Sequence, residues 1–281
     1  MNNEDFVRGF DRTIDDALFW LGDNAAFLFD AIRKGLEGFY DLILSAVTLP
    51  PAWAIALIAA LLGWRTVGAG FGLLAGAGLL FCWSMGLWPE TMETLALVFS
   101  ATLTALVVAL PVGVIAGYYT GLDRTLEPVL DLIQTMPPYI YLLPAIALLG
   151  YGAATALAAT IVVAIPPVVR LTSLGIRRTP GEFIELGQAS GINNWQMFTK
   201  IRLPFAMPSI MTGINQGLMM AFGMVVIAGI VGSGGLGGTI YDAIRTLDIA
   251  RSINAAIAIV ILCMVIDRIT QSVNMVPEGE R

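Results

Sequence analysis

Between residue 4 and about residue 40, apolar positions recur at steps of three and four: Phe6, Phe10, Ile14, Leu18, Leu21, Ala25, Leu28 and Ile32. Asp5, Arg8, Asp11, Arg12, Asp15 and Asp16 fill the intervening positions. This period predicts an amphipathic helix, and it suits either a membrane interface or the face of a partner subunit. The pattern then changes to long apolar runs. Segments 43–64, 66–86, 93–119, 127–150, 153–176, 208–231 and 252–274 each approach the roughly 20 apolar residues that a bilayer core requires. Trp64 and Arg65 alone separate the first two, and Pro50-Pro51 interrupts the first.

Composition supports this division. The chain of 281 residues is 57% hydrophobic and 13% charged, against about 25% charged in a soluble domain. An integral membrane, all-α protein with about seven transmembrane helices is the predicted class. A net charge of −6 leaves no basic patch for nucleic acid. Histidine is absent, which removes the commonest metal ligand and general base, and no metal site is expected. Cys82 and Cys263 lie in apolar segments without metal-like spacing and read as packing residues. The acidic N-terminus, MNNEDFVRGF, lacks the apolar core of a cleavable signal peptide.

Loop charges set the orientation. Arg65, Arg124, Arg177-Arg178, Lys200, Arg202 and Arg268 fall at one set of helix ends, while the opposite loop GLWPETME carries no base. With seven spans, this places the N-terminus outside and the C-terminus in the cytoplasm; Arg245 and Arg251 are exceptions to the bias. The predicted organisation is an N-terminal extracytoplasmic or interfacial segment 1–42, two accessory helices in 43–90, a five-helix core 91–275 with a cytoplasmic loop 177–207, and a short cytoplasmic tail 276–281. Gly232-Ser233-Gly234-Gly235-Leu236-Gly237 satisfies G-x-G-x-x-G. It follows a spanning helix instead of a strand and emerges outside, so it predicts a glycine turn that ends the helix, not a phosphate cradle.

No enzyme site is expected: a Ser/His/Asp set is impossible without histidine, and G-x-x-x-x-G-K-[ST] does not occur. The longest polar stretch between spans is GEFIELGQASGINNWQMFTKIRLP, residues 181–204. Gly187, Ala189, Ser190 and Gly191 would leave a bald helical patch that another protein could approach closely, and Glu185 suits the positive end of that helix. The alternative is a solvated loop. Pro204 is expected to stop the local structure before span 208–231.

Glu185-Leu186-Gly187, Gly191, nine residues and then Ile201-Arg202-Leu203-Pro204 resemble the EAA loop of membrane subunits of ATP-binding-cassette importers, E-A-A-x-x-x-G followed by I-x-L-P. Leu186 and Gly187 replace the two alanines. Across residues 90–275, QTMPPYIYLLPAIALLGYG, IPPVVRLTSLGIRRTP, INQGLMMAFGMVVIAGIVGSGGLGG and IAIVILCMVIDRITQS are similar to permeases for glycine betaine, proline betaine and choline. The resemblance implies a type I, methionine-permease-like fold and a non-catalytic subunit of the bacterial inner membrane. It also implies a second permease copy, two separate ATPase subunits that hold ATP-Mg, and an extracytoplasmic binding protein that selects the solute. No cofactor is expected on this chain. The EAA loop would form a coupling helix seated in the ATPase.

Met136-Pro137-Pro138 with Pro144, Pro111, and Pro166-Pro167 are predicted to break three spans, as a gate or pore wall would require; a simple kink is the alternative. Tyr139 and Tyr141 point to different helix faces, so at most one lines a path. Asn215 and Gln216 are the clearest polar pair inside a span, suited to pore lining or helix–helix hydrogen bonding. Asp131 and Arg170 could form an ion pair. Two other functions compete: an importer of an amino acid such as methionine, whose permeases share the GGLG-like turn, and an ion-gradient-driven secondary transporter. The second expects an inverted repeat and mid-span acids, and neither is evident.

Overall fold

The computed structural model describes residues 12, 13, 16 and 19–272; most of the first part of the predicted amphipathic helix, up to residue 18, and the tail 276–281 lie outside them. Among the described residues there is no strand. Helix α1, Ala26–Thr48, precedes a hairpin of α2, Ala52–Thr66, and α3, Ala69–Ser84. Then follow α4, Trp88–Tyr118; α5, Thr120–Thr135; α6, Tyr139–Leu149; and α7, Ala153–Arg177. Next come α8, Gly181–Ala189; α9, Asn194–Met197; a π segment, Phe198–Arg202; and α10, Leu203–Ala228. A 3-10 turn, Gly229–Val231, leads to α11, Gly235–Thr246, and α12, Ile249–Ser272.

Among the described residues, four helical segments are long and apolar enough to cross a membrane: Trp88–Tyr118, Ala153–Arg177, Asn194–Val231 and Ile249–Ser272. Two bent pairs add up to two more, α1 with α2 at 89° and α5 with α6 at 98°. The seven predicted segments therefore map onto these four, the two pairs and the short apolar α3. At 1.5 Å per residue, α2 and α3 are about 22 and 24 Å long, short of a core of about 30 Å.

Predicted span 43–64 is not one helix, because Pro50-Pro51 ends α1 and starts α2. The predicted boundary at residue 42 falls inside α1. The apolar stripe simply continues through Leu36, Tyr40, Ile43, Leu44 and Val47, which pack into the main core. The C-terminal half of α1 is thus core, whereas Phe27 stays exposed.

Helix α7 is the centre of the bundle, held between α4 and α10. All three carry small residues at their contacts, as expected where helices in lipid associate by close packing. Midway along α10, Gly213 and Gly217 face Pro167, Val168 and Ala164 of α7; a Cβ on Gly217 would stand 3.0 Å from the Ala164 carbonyl oxygen. Pro111 and Pro166-Pro167 do not break their spans, which run as single helices. Close neighbours hold the backbone in register despite the missing N–H groups.

Candidate functional site

The polar loop after α7 is a built structure. Pro180 precedes α8, and Glu182, not the expected Glu185, sits in its first turn, where a carboxylate favours the helix dipole; Glu185 lies mid-helix. The helix ends in a Schellman arrangement: the Gly191 N–H donates to the Gln188 carbonyl at 3.0 Å and the Ile192 N–H to the Gly187 carbonyl at 3.3 Å. Gly191 has φ +70°, so its lack of a side chain serves the backbone turn. A capping box restarts the chain, with Asn193 Oδ1 accepting from the Gln196 N–H at 2.8 Å and Gln196 Oε1 accepting from the Asn193 N–H at 3.0 Å.

Gly187 also differs from expectation. It is buried, and a Cβ there would meet Ile192, Ile201 and Met197 side-chain ends at 2.8–2.9 Å. It fastens α8 to the base of α10. Phe183 and Phe205, with ring centroids 4.7 Å apart, make a second fastening. Glu185, Leu186, Ala189 and Gly191 remain exposed on the outward side. Leu203 is half-buried, and Pro204 lies in the first turn of α10. Pro204 therefore does not stop the structure: a proline is tolerated there because its missing N–H falls where helical partners are lacking or displaced. Through the π segment, Asn194–Val231 is one helical segment of 38 residues.

Met136-Pro137-Pro138 makes a genuine break. Met136 is extended, as a residue before proline prefers. Pro137 cannot donate to the Ile133 carbonyl, and the Tyr141 hydroxyl replaces that donor at 2.8 Å. Tyr139 is exposed, so the two tyrosines do point apart. Helix α5 is tied to α7 by an Asp131–Arg170 ion pair and by Asp123, which accepts from Arg177 at 2.5 Å and from Ser173 at 2.6 Å. Asn215 Nδ2 donates to Asp267 Oδ1 at 3.0 Å, joining α10 to α12, while Gln216 is exposed. Asn215 thus serves helix–helix bonding.

At the other end of α10, Gly232 (φ +73°) terminates the 3-10 turn and Gly234 and Gly235 also have positive φ. Gly229 and Gly237 lie in direct backbone contact: a Cβ on Gly229 would stand 2.2 Å from the Gly237 carbonyl carbon. The N-terminus of α11 is capped from α4, with the Gly235 N–H donating to Glu93 Oε2 at 2.6 Å and the Leu236 N–H to Thr94 Oγ1 at 2.8 Å. The glycine spacing is explained by a turn and a close helix crossing, with a carboxylate of the protein itself at the helix end. Neither this capping nor the Phe183–Phe205 pair was predicted. The available signal was that Gly234 precedes α11 without a polar capping side chain of its own.

Residues 109–274 match the family model "Binding-protein-dependent transport system inner membrane component". The chain is 37% identical over 262 residues, 93% of each chain, to the glycine betaine transport system permease protein of Bacillus subtilis. It is 36% identical to the glycine betaine/proline betaine transport system permease protein of Escherichia coli, over 94% of this chain and 74% of that one. Among solved structures, the MetNI methionine ABC transporter in an inward-facing conformation is similar at a TM-score of 0.59 and 25% identity, over 65% of this chain and 91% of that chain.

Proposed function

Since the chain belongs to the family of binding-protein-dependent transport system inner-membrane components, we propose that it is the membrane-spanning subunit of an ATP-driven importer of quaternary amines such as glycine betaine. The observation that carries the solute class is the likeness to a glycine betaine permease along 93% of both chains. The methionine reading rests on a solved structure at 25% identity over 65% of this chain, which supports the fold more than the cargo.

In this reading two copies form the path, two ATPase subunits drive it and a binding protein delivers the solute from outside. The N-terminus lies outside and the C-terminus in the cytoplasm. The exposed Glu185, Leu186 and Ala189 side of α8 meets the ATPase. Gly187 against Ile201, and Phe183 against Phe205, carry that motion into the base of α10. This chain supplies the passage and the linkage, and ATP-Mg is held and hydrolysed by the partner chains. The test is uptake of labelled glycine betaine by proteoliposomes holding the permease, its ATPase and its binding protein. Uptake should require ATP and the binding protein. Gly191→Trp should leave ATP hydrolysis largely intact and abolish uptake, because it forces a side chain into a left-handed turn on the docking helix. Uptake driven by an ion gradient without ATP would refute the proposal.

A further inference from the structure

An open cleft of about 550 Å³ lies between the α6–α7 connection, the glycine turn and α11, inside the roughly 300–1,000 Å³ range of small-molecule sites. Its side chains are few. Tyr151 lines it from the α6–α7 connection, and Tyr241, Asp242 and Arg245 line it from α11. Much of the remaining lining is glycine, and a Cβ on Gly238 would find nothing within 4 Å. The floor is fixed: the Gly152 N–H donates to the Val231 carbonyl at 3.0 Å, and Glu93 and Thr94 hold the start of α11.

Two observations indicate what the cleft accepts. The Arg245 guanidinium lies 5.6 Å from the Tyr241 ring centroid, so this ring face holds the chain's own cation and is open to a solute ammonium once Arg245 turns to an anion. Asp242 and Arg245 are in no salt bridge among the described residues, which leaves both signs of charge available a helical turn apart. Aromatic faces with an acid beside them suit a methylated ammonium, which cannot donate hydrogen bonds. The guanidinium suits a carboxylate.

Resting on the transport function above, we propose that this cleft is a low-affinity acceptance site for a zwitterionic quaternary amine, with Tyr151, Tyr241 and Asp242 taking the ammonium end and Arg245 the carboxylate. Its open shape and exposed charges suit a site that receives the solute and releases it.

The test uses the complete reconstituted transporter at saturating loaded binding protein, with labelled glycine betaine and with choline, which has no carboxylate. Arg245→Gln should lower glycine betaine uptake about tenfold, the order expected for one charged hydrogen-bonding partner, and choline uptake less than twofold. Tyr241→Leu should lower both. Gly238→Val fills the cleft where the fold has space, so both rates should fall while thermal stability is kept. An unchanged betaine-to-choline ratio in Arg245→Gln, with normal wild-type uptake, overturns the acceptance site alone. Equal losses for both solutes with weaker binding-protein affinity also overturn it, since Arg245 would then be a docking residue. Wild-type complex that carries neither solute overturns the parent function and this site together.

Discussion

Replacing Gly229 by alanine places a Cβ 2.2 Å from the Gly237 carbonyl carbon, 2.4 Å from its oxygen and 2.5 Å from the Gly238 nitrogen. All three are backbone atoms of α11, so no side chain can rotate away. Ordinary contact begins near 3.4 Å, and the crossing must therefore open by roughly 1.2 Å. Overpacking of this kind costs about 1–3 kcal/mol, with the upper end expected where backbone must move. Two companion substitutions calibrate the number. Gly187→Ala meets only side-chain ends at 2.8–2.9 Å, and Gly223→Ala meets nothing within 4 Å. Both should benefit from the roughly 0.5–1 kcal/mol by which alanine exceeds glycine inside a helix. At about 2–4 °C per kcal/mol, Gly229→Ala should lower the melting temperature by several degrees, Gly223→Ala should raise it slightly, and Gly187→Ala should stay near wild type. Thermal unfolding of the purified permease in detergent, followed by size-exclusion chromatography, reads all three. A Gly229→Ala protein as stable as Gly223→Ala would refute the tight crossing between the 3-10 turn and α11.

Other consequences are equally direct. Tyr141→Phe strands the Ile133 carbonyl at the break before α6 and should cost about 1–3 kcal/mol, measured as a lower melting temperature than in a Tyr139→Phe control. Glu93→Gln removes the charge at the α11 N-terminus but keeps the shape; it should cost on the order of 1 kcal/mol and speed amide exchange at Gly235 and Leu236. A double-mutant cycle on Asp131 and Arg170, a partly exposed ion pair, should give a coupling of about 0.2–1 kcal/mol that 1 M salt reduces.

Apolar run length made the bundle legible, because a chain in lipid must satisfy its backbone within helices and those helices need a minimum length. The positions of α4, α7, α10 and α12 follow from that alone. Proline behaviour was less legible. Pro50-Pro51 and Pro137-Pro138 break the chain, with Pro51 and Met136 extended at the breaks, whereas Pro111, Pro166-Pro167 and Pro204 sit inside or at the start of helices that packing keeps intact. Sequence shows a proline but not the neighbours that decide its effect. The loop at 181–204 was visible as a polar interruption. Gly187 departs from the expected outward patch and faces inward, and only the partners Ile201 and Ile192, brought near by folding, reveal this. The Glu93–Gly235 contact joins residues 142 positions apart and has no local signature.

The crossing of α10 with α7 has a mechanical consequence. Asn194–Val231 spans about 57 Å as a helix, and Gly213 and Gly217 hold it against α7 close to its midpoint. The same segment is also held near its lower end, where Gly175 of α7 meets Ala206 and Ser209, and at its upper end by the Gly229–Gly237 crossing. A displacement at the base of this segment is therefore passed to the glycine turn at its far end through one continuous packed body, with no loose joint between the two.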